Sequence, residues 1–252
     1  MKSAKIIVGN WKMNPTSLEK AQAIFKGIEK GIKPNKKVVS IICASFVHLA
    51  PLALLKNRKS FIGAQNVFPE IKGSFTGEIS IDMLKDLKVS HIILGHSERR
   101  KLGESDELIN KKVLLALTYK MTPIFCIGEA VRDEDGAFLS VLKEQLVKGL
   151  AGVTQVQLSK IIVAYEPIWA IGAATAMNAH DIHQTTIFIK KTLMEMYSMK
   201  SLPKVPVLYG GAVDPTNAPS ILTEGEADGL LIGRQSLEAT SFLDILRSAQ
   251  AI

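Results

Sequence analysis

The sequence predicts an α/β protein with the architecture of a (β/α)8 barrel, in which eight parallel strands are surrounded by helices. The chain has 252 residues, it contains eight short and nearly continuous apolar runs, and segments of helical periodicity separate these runs. Strands that are buried on both faces of a parallel sheet have such apolar runs, and about 250 residues is a typical length for this barrel. The predicted strands are residues 5–11, 37–44, 61–67, 91–97, 123–128, 161–166, 205–210 and 228–233.

Local signals support helices between these strands. Thr16 followed by Glu19 has the pattern of a capping box, and Gly31 stands where a helix end would need a positive φ. Pro215 is predicted to occupy the first position of a helix, since its ring fixes a helical φ. Four residues are the predicted N-caps: Thr16, Ser105, Asn178 and Asp214.

No linker, low-complexity tract or shift in composition divides the chain, so residues 1–252 are predicted to form a single barrel domain. A doubly wound open sheet is the alternative. Such a sheet usually carries a glycine-rich fingerprint after its first strand. Here that strand ends in Gly9-Asn10-Trp11-Lys12, without this fingerprint, which favours the barrel.

Composition and charge exclude several classes of protein. The hydrophobic fraction of 47% excludes disorder, and the net charge of +7 suits an anionic ligand. The basic residues are scattered rather than clustered, which argues against a nucleic-acid partner. No apolar run reaches the ~18 residues of a membrane span, and the N-terminal apolar stretch is too short for a signal peptide. Cys43 and Cys126 lie inside apolar runs without metal-site spacing, so we expect buried thiols, no metal and a cytoplasmic protein.

Polar residues follow most of the predicted strands. In a barrel of this type the functional residues lie at the carboxyl ends of the strands. The last two strands end in the glycine turns Gly210-Gly211 and Gly233, each followed by a predicted helix start. Main-chain N–H groups in such turns bind anions, which predicts a small phosphorylated substrate. The polar residues at the strand ends are Asn10, Lys12, Gln65, Asn66, His96, Ser97, Glu98, Glu129 and Glu166.

Each of these residues also has a structural interpretation. Lys12 could be a solvated surface lysine, His96 a satisfied core histidine, and Gly210-Gly211 an ordinary turn. Position alone does not decide which carboxylate would act as a base, and three remain open: Glu98, Glu129 and Glu166.

The segment after Glu166 has the composition of a lid. Pro167 restrains the backbone, Trp169 and Ile171 are large apolar residues in an expected surface connection, and Gly172 could act as a hinge. A segment of this kind would close over a ligand and exclude water. The alternative is a loop packed permanently on the barrel.

Eight motifs in order resemble the triosephosphate isomerase family, along essentially the whole chain. The resemblance implies the TIM-barrel fold and the interconversion of dihydroxyacetone phosphate and D-glyceraldehyde 3-phosphate through an enediol(ate), without a cofactor or metal. The motifs are residues 9–14, 63–66, 73–78, 95–100, 126–129, 164–172, 209–211 and 231–233.

The resemblance also implies roles for individual residues. Glu166 would be the base that moves the proton, and His96 would act as a neutral imidazole on the carbonyl and hydroxyl groups. Lys12 would supply positive charge, and Asn10 would donate a hydrogen bond to substrate oxygens, so both also bind substrate. The start of the helix that follows His96 would keep its ring neutral.

Phosphate is held in this family mainly by main-chain N–H groups. Several residues here differ from the usual family sequence: Ala173 and Ala174 replace Thr-Gly after the lid, Ala212 replaces a common Ser, and Arg234 a common Gly. Main-chain donors survive such changes, so binding is expected to persist, whereas lid dynamics are open to doubt. The Arg234 side chain could add charge near the phosphate or point to solvent. The donors that match the family are Gly172, Ala212, Gly233 and Arg234.

Residues 68–77 form a long polar connection, and connections of this length are usually functional or interfacial. In the family this loop docks into the neighbouring subunit, where the residue that matches Thr76 approaches Lys12 and Asn10 of the partner subunit. We therefore expect a homodimer, with further association left open.

Three rival functions remain at this point. One is another enzyme that acts on a sugar phosphate and has the same barrel. Such an enzyme would need different residues at the strand ends than Asn10, Lys12, His96 and Glu166. Another is a catalytically impaired relative that binds a sugar phosphate or another protein. The third is a basic nucleic-acid binder, which would need a clustered basic patch.

Overall fold

A closed barrel of parallel strands forms the centre of the computed structural model, which describes residues 4–33, 36–172, 176–201 and 204–252. The strands follow one another around the barrel in sequence order, and β1 pairs with both β2 and β8. This confirms the predicted fold class. The strands are β1 Lys5–Asn10, β2 Val38–Cys43, β3 Phe61–Ala64, β4 His91–Leu94, β5 Thr122–Ile127, β6 Ile162–Tyr165, β7 Val207–Tyr209 and β8 Gly229–Ile232.

The helices surround this barrel. Ten α-helices lie within the described ranges, two more than the sequence predicts, because the short α4 and α7 lack a clear apolar pattern. They are α1 Leu18–Gly31, α2 Phe46–Ala53, α3 Ile81–Asp86, α4 Ser97–Lys101, α5 Asp106–Thr118, α6 Phe138–Gly149, α7 Gln155–Leu158, α8 Ala179–Met196, α9 Ala218–Thr223 and α10 Ala239–Ala251. None of these helices is long and apolar enough to cross a bilayer.

The apolar core has two layers, because successive side chains of a strand point to opposite faces. One layer packs between the strands and the helices. The other fills the inside of the barrel and includes Val8, Ile93 and Leu231. Cys43 and Cys126 belong to this inner layer as free, buried thiols, and burial raises the pKa of both.

Two of the predicted N-caps are confirmed and one is displaced. Ser105 accepts a hydrogen bond from Leu108 N at 3.3 Å, and Asn178 accepts one from Asp181 N at 2.9 Å. The prediction of Thr16 as a cap is wrong by one residue. Ser17 caps α1 instead, since its hydroxyl accepts from Lys20 N at 3.3 Å.

Two further expectations about turns are wrong. Gly31 does not adopt a positive φ; it closes α1, where an added Cβ would lie 2.2 Å from Leu243 Cδ1. Tight packing of α1 on α10 therefore explains this glycine. Asp214 does not cap α9, which begins only at Ala218; its carboxylate accepts from the N–H groups of Thr216 and Asn217 and stabilises the preceding turn.

Candidate active site

The carboxyl ends of the strands surround one cavity of about 480 Å³. It brings together the four residues for which the resemblance implies catalytic roles, although they are far apart in the sequence. The phosphate-binding candidates line the same cavity. The lining residues concerned are Asn10, Lys12, His96, Glu166, Gly172, Ala212, Gly233 and Arg234.

Glu166 directly follows β6, and its position is fixed from three sides. Its main-chain N–H donates to Ile127 O at 2.8 Å. A Cβ at Gly128 would lie 1.8 Å from Glu166 O, and a Cβ at Gly210 would lie 2.8 Å from Glu166 Cγ. Glycine at residue 128 thus leaves room for the main chain of Glu166, and glycine at residue 210 leaves room for its side chain.

The Glu166 carboxylate is buried, with 2% of the residue exposed. Its Oε1 lies 3.1 Å from His96 Nε2, and its Oε2 has no hydrogen-bond partner among the described residues. A buried carboxylate oxygen without a donor is costly for folding. This oxygen is left free to accept a hydrogen bond from a ligand.

His96 stands at the N-terminus of α4, and its Nδ1 accepts a hydrogen bond from Glu98 N at 3.2 Å. A nitrogen that accepts this bond carries no proton, so the proton of the neutral ring lies on Nε2, facing Glu166. Burial lowers the pKa of His96, while the Glu166 carboxylate raises it by more, so the net shift is upward. The N–H of Glu98 opposes protonation of Nδ1. The charge state of this ring therefore depends on the distance between His96 and Glu166.

Lys12 is held in an unusual conformation, with φ at +55°. Its main-chain N–H donates to Asn10 Oδ1 at 3.1 Å, and its carbonyl accepts from Ser45 Oγ at 2.8 Å and Gln65 Nε2 at 2.9 Å. These bonds stabilise a left-handed backbone that costs energy in a lysine. They direct the side chain into the cavity, so Lys12 is not an ordinary surface lysine.

The Lys12 ammonium pairs with Glu98, at 2.7 Å between Nζ and Oε1. Burial would raise the pKa of Glu98, but the hydrogen bond from Lys12 and the charges of His96 and Lys12 together contribute to a net lowering. Glu98 is thus kept charged and occupied.

One carboxylate oxygen of Glu129 is likewise occupied by donors. Its Oε1 accepts from Tyr165 OH at 2.8 Å and from Trp169 Nε1 at 2.9 Å, and Arg132 lies 3.9 Å away. Glu129 Oε2, like Glu166 Oε2, has no hydrogen-bond partner among the described residues. Of the three carboxylates that the sequence left open, however, only Glu166 lines the cavity. The geometry therefore favours Glu166 as the base.

The predicted lid begins as a short 3₁₀ helix, Ile168–Ala170. Its Trp169 side chain is anchored by Glu129 but remains 41% exposed. Beyond it, Met177 N donates to Tyr209 OH at 3.1 Å. Ala173 and Ala174 lie outside the described residues. Both flanks of the segment are thus attached to the barrel by hydrogen bonds.

The cavity also presents unused main-chain donors. Four N–H groups have no acceptor in the described part of the chain: those of Gly172, Ala212, Gly233 and Arg234. All four residues line the cavity. The turn that contains Ala212 requires glycine at residue 211, because a Cβ there would lie 2.1 Å from Tyr209 OH.

Several features of the site lie beyond what the sequence analysis identified. Gln65, known only as a strand-end residue, supports the Lys12 backbone. Asn66 does not line the main cavity; it joins a buried network in which Lys112 Nζ donates to Asn66 Oδ1 at 2.9 Å and to Glu104 Oε1 at 2.7 Å. Glycines at the ends of the neighbouring strands, Gly128 after β5 and Gly210 after β7, are the sequence signal that could have indicated the crowding around Glu166.

No group of three or more His, Cys, Asp or Glu residues within the described ranges is arranged to hold a metal ion.

Comparison with known proteins gives one consistent result. The family model of triosephosphate isomerase matches residues 5–249. The triosephosphate isomerase of Dictyoglomus turgidum is 42% identical over 249 residues, covering 97% of this chain and 99% of that protein. The enzyme of the same name from Dictyoglomus thermophilum is 40% identical, with the same coverage. That of Endomicrobium trichonymphae is 41% identical, covering 96% and 97%.

Proposed function

The chain belongs to the triosephosphate isomerase family, and on this premise we propose that it interconverts dihydroxyacetone phosphate and D-glyceraldehyde 3-phosphate. The observation that carries the proposal is the contact of 3.1 Å between the buried Glu166 carboxylate and His96 Nε2. It lies in a cavity that also offers free N–H groups to an anion.

In this proposal Glu166 is the base. Its carboxylate takes a proton from the carbon next to the substrate carbonyl and returns it to the neighbouring carbon. A carbon acid of this kind needs a base at a fixed distance, because a proton transfers only over hydrogen-bond range. The rigid surroundings of Glu166 and its free Oε2 support this role.

His96 polarises the carbonyl and moves the hydroxyl protons. With Nδ1 accepting from Glu98 N, the ring offers its Nε2 proton to a substrate oxygen. A substrate between His96 and Glu166 takes the place of their direct contact, which removes the main cause that raises the pKa of His96. The ring then acts in its neutral form.

Lys12 and Asn10 stabilise the negative charge that develops on the substrate oxygens. The Asn10 side chain uses Oδ1 to hold the Lys12 backbone, which leaves its Nδ2 donor for a ligand. The phosphate is bound by the N–H groups of Gly172, Ala212, Gly233 and Arg234, and the segment 167–172 excludes water. The reaction moves a proton within one molecule, so it requires neither cofactor nor metal.

A coupled spectrophotometric assay that follows dihydroxyacetone phosphate formed from D-glyceraldehyde 3-phosphate tests the proposal. We expect Glu166→Gln to lower kcat by about 10²- to 10⁴-fold, the usual contribution of a positioned base. Glu107→Gln, on the surface of α5, is the matched control and should keep full activity. A folded wild-type protein without turnover would indicate the impaired, binding-only relative. Full activity in Glu166→Gln would show that Glu166 is not the base.

We further propose that the protein is a homodimer in which residues 68–77 reach the partner subunit, with Thr76 approaching the partner's Lys12. Two features support this. Phe75 and Met13 are exposed by 43% and 91%, and a second cavity of about 260 Å³, lined by Lys12 and Gln65, adjoins the site. Light scattering should give twice the chain mass of 27.5 kDa. A monomer at micromolar concentration would contradict the dimer.

Residues 1–252 are proposed to form a single domain that works in the cytoplasm, in glycolysis and gluconeogenesis. The pairing of β1 with β8, which joins the two ends of the chain, supports the single domain. The free buried thiols of Cys43 and Cys126 support a reducing compartment.

A further inference from the structure

Arg234 differs from every other arginine of the chain. The sequence contains six arginines. Arg234 alone has neither a hydrogen bond nor an ion pair from its side chain to any residue that the structure describes. The other five donate to a carbonyl oxygen or pair with a carboxylate: Arg58, Arg99, Arg100, Arg132 and Arg247.

Arg234 also lines the active-site cavity. The other Lys, Arg, Asp and Glu residues of its lining are Lys12, Glu166 and Asp214. The Lys12 ammonium is already paired with Glu98 at 2.7 Å. Asp214 Oδ1 accepts from Thr216 N at 2.7 Å and from Asn217 N at 3.1 Å, so this carboxylate is engaged in its own turn. Among the described residues, Arg234 is therefore the cation of the cavity that has no acidic partner.

Arg234 adjoins the main-chain donors that are proposed to bind an anion. Its own main-chain N–H is one of the free donors, and the preceding residue, Gly233, faces Lys12, since a Cβ there would lie 3.5 Å from Lys12 Cε. Arg234 is exposed, and it lines the same cavity as these N–H groups, so its guanidinium is free to reach an anion bound to them. A guanidinium presents forked donors that match the oxygens of a phosphate.

We propose that the Arg234 guanidinium binds the phosphate dianion of the substrate and makes its affinity strongly dependent on charge. The proposal rests on the proposed function for the identity of the substrate, but not for the binding of phosphate itself. The contact forms in the bound substrate and in the transition state alike, so it lowers KM more than it raises kcat.

The test compares Arg234→Gln and Arg234→Lys with Arg247→Gln. The control removes the same charge from α10, where Arg247 pairs with Asp244 outside the cavity. We expect Arg234→Gln to raise KM and the inhibition constant of inorganic phosphate together, by about five- to tenfold at low ionic strength. The rise should shrink at about 0.5 M salt. Arg234→Lys should recover part of the affinity.

A readout that does not use turnover separates this proposal from the proposed function. Inorganic phosphate should raise the melting temperature of the wild type, since it binds the folded protein, and should raise that of Arg234→Gln much less. If the wild type does not turn over the triose phosphate, the proposed function is wrong. The change in melting temperature caused by inorganic phosphate still tests the role of Arg234 in that case. Unchanged phosphate affinity in Arg234→Gln, or an equal loss in Arg247→Gln, would overturn the proposal.

Discussion

Replacing Gly210 with alanine tests whether the position of the Glu166 carboxylate controls the rate. Gly210 follows β7, and its N–H donates to Tyr165 O at 2.8 Å, which holds this turn against β6. A Cβ at residue 210 would lie 2.8 Å from Glu166 Cγ and 3.4 Å from Oε1. Since Gly210 lacks a positive φ, alanine adds a methyl group without backbone strain.

The size of the effect follows from this contact. Non-bonded carbon atoms are favourably about 3.5–4.0 Å apart, so Glu166 Cγ must move by roughly 0.7–1.2 Å. The main chain of Glu166 cannot take up this movement, because its N–H is bonded to Ile127 O and its carbonyl packs on Gly128. A displacement of about 1 Å between reacting groups costs about 10²-fold in rate. We expect a loss of this order in kcat/KM.

Gly27→Ala is the matched control. Its added Cβ would lie 3.0 Å from Ala239 Cβ, a similar degree of crowding, but between α1 and α10 and away from the cavity. We expect full activity in this variant. Both proteins are assayed with D-glyceraldehyde 3-phosphate, and thermal unfolding confirms that they are folded. A folded Gly210→Ala protein within about threefold of wild-type activity would refute the reasoning, because the turn would then have yielded instead of the carboxylate.

Two titratable groups away from the cavity, the partly buried His91 and the buried Lys112, should affect stability. Burial lowers the pKa of His91 to about 4, so between about pH 6.5 and 4 the unfolded chain binds the proton more tightly and the free energy of unfolding should fall by up to about 3 kcal/mol. His91→Gln should flatten this dependence in urea unfolding, and an unchanged slope would contradict the assignment. Lys112→Met should cost about 3 kcal/mol, because it removes a buried cation from Glu104. A loss below about 1 kcal/mol in the same measurement would show that Arg99 alone compensates Glu104.

The order of strands and helices could be predicted from the sequence, but the strand ends could not. The predicted strand over residues 61–67 ends at Ala64, although Val67 is 1% exposed. Burial here continues beyond the sheet, so apolar character overestimates strand length. The predicted strand over residues 91–97 ends at Leu94, because Gly95 adopts a φ of +72° and turns the chain.

The residue types of the site could be predicted from their positions after the strands, whereas their partners could not. Whether Glu98 or Glu129 is available as a base depends on the donors that Lys12 and Trp169 supply from other parts of the fold. The network of Lys112 and Glu104 likewise has no local sequence pattern, since its further member Asn66 is 46 residues from Lys112. Such pairings arise only when the barrel closes.

Glu129 and Glu166 illustrate how equal burial leads to different roles. Both residues are almost completely buried, at 1% and 2% exposure. The Oε1 of Glu129 accepts from two side chains, one of which belongs to the lid segment, so its charge is compensated and it fixes structure. Glu166 Oε1 lies 3.1 Å from His96 Nε2, and Glu166, unlike Glu129, lines the cavity. In the proposed mechanism, the energy that this arrangement costs in folding leaves an oxygen of the Glu166 carboxylate available to the substrate.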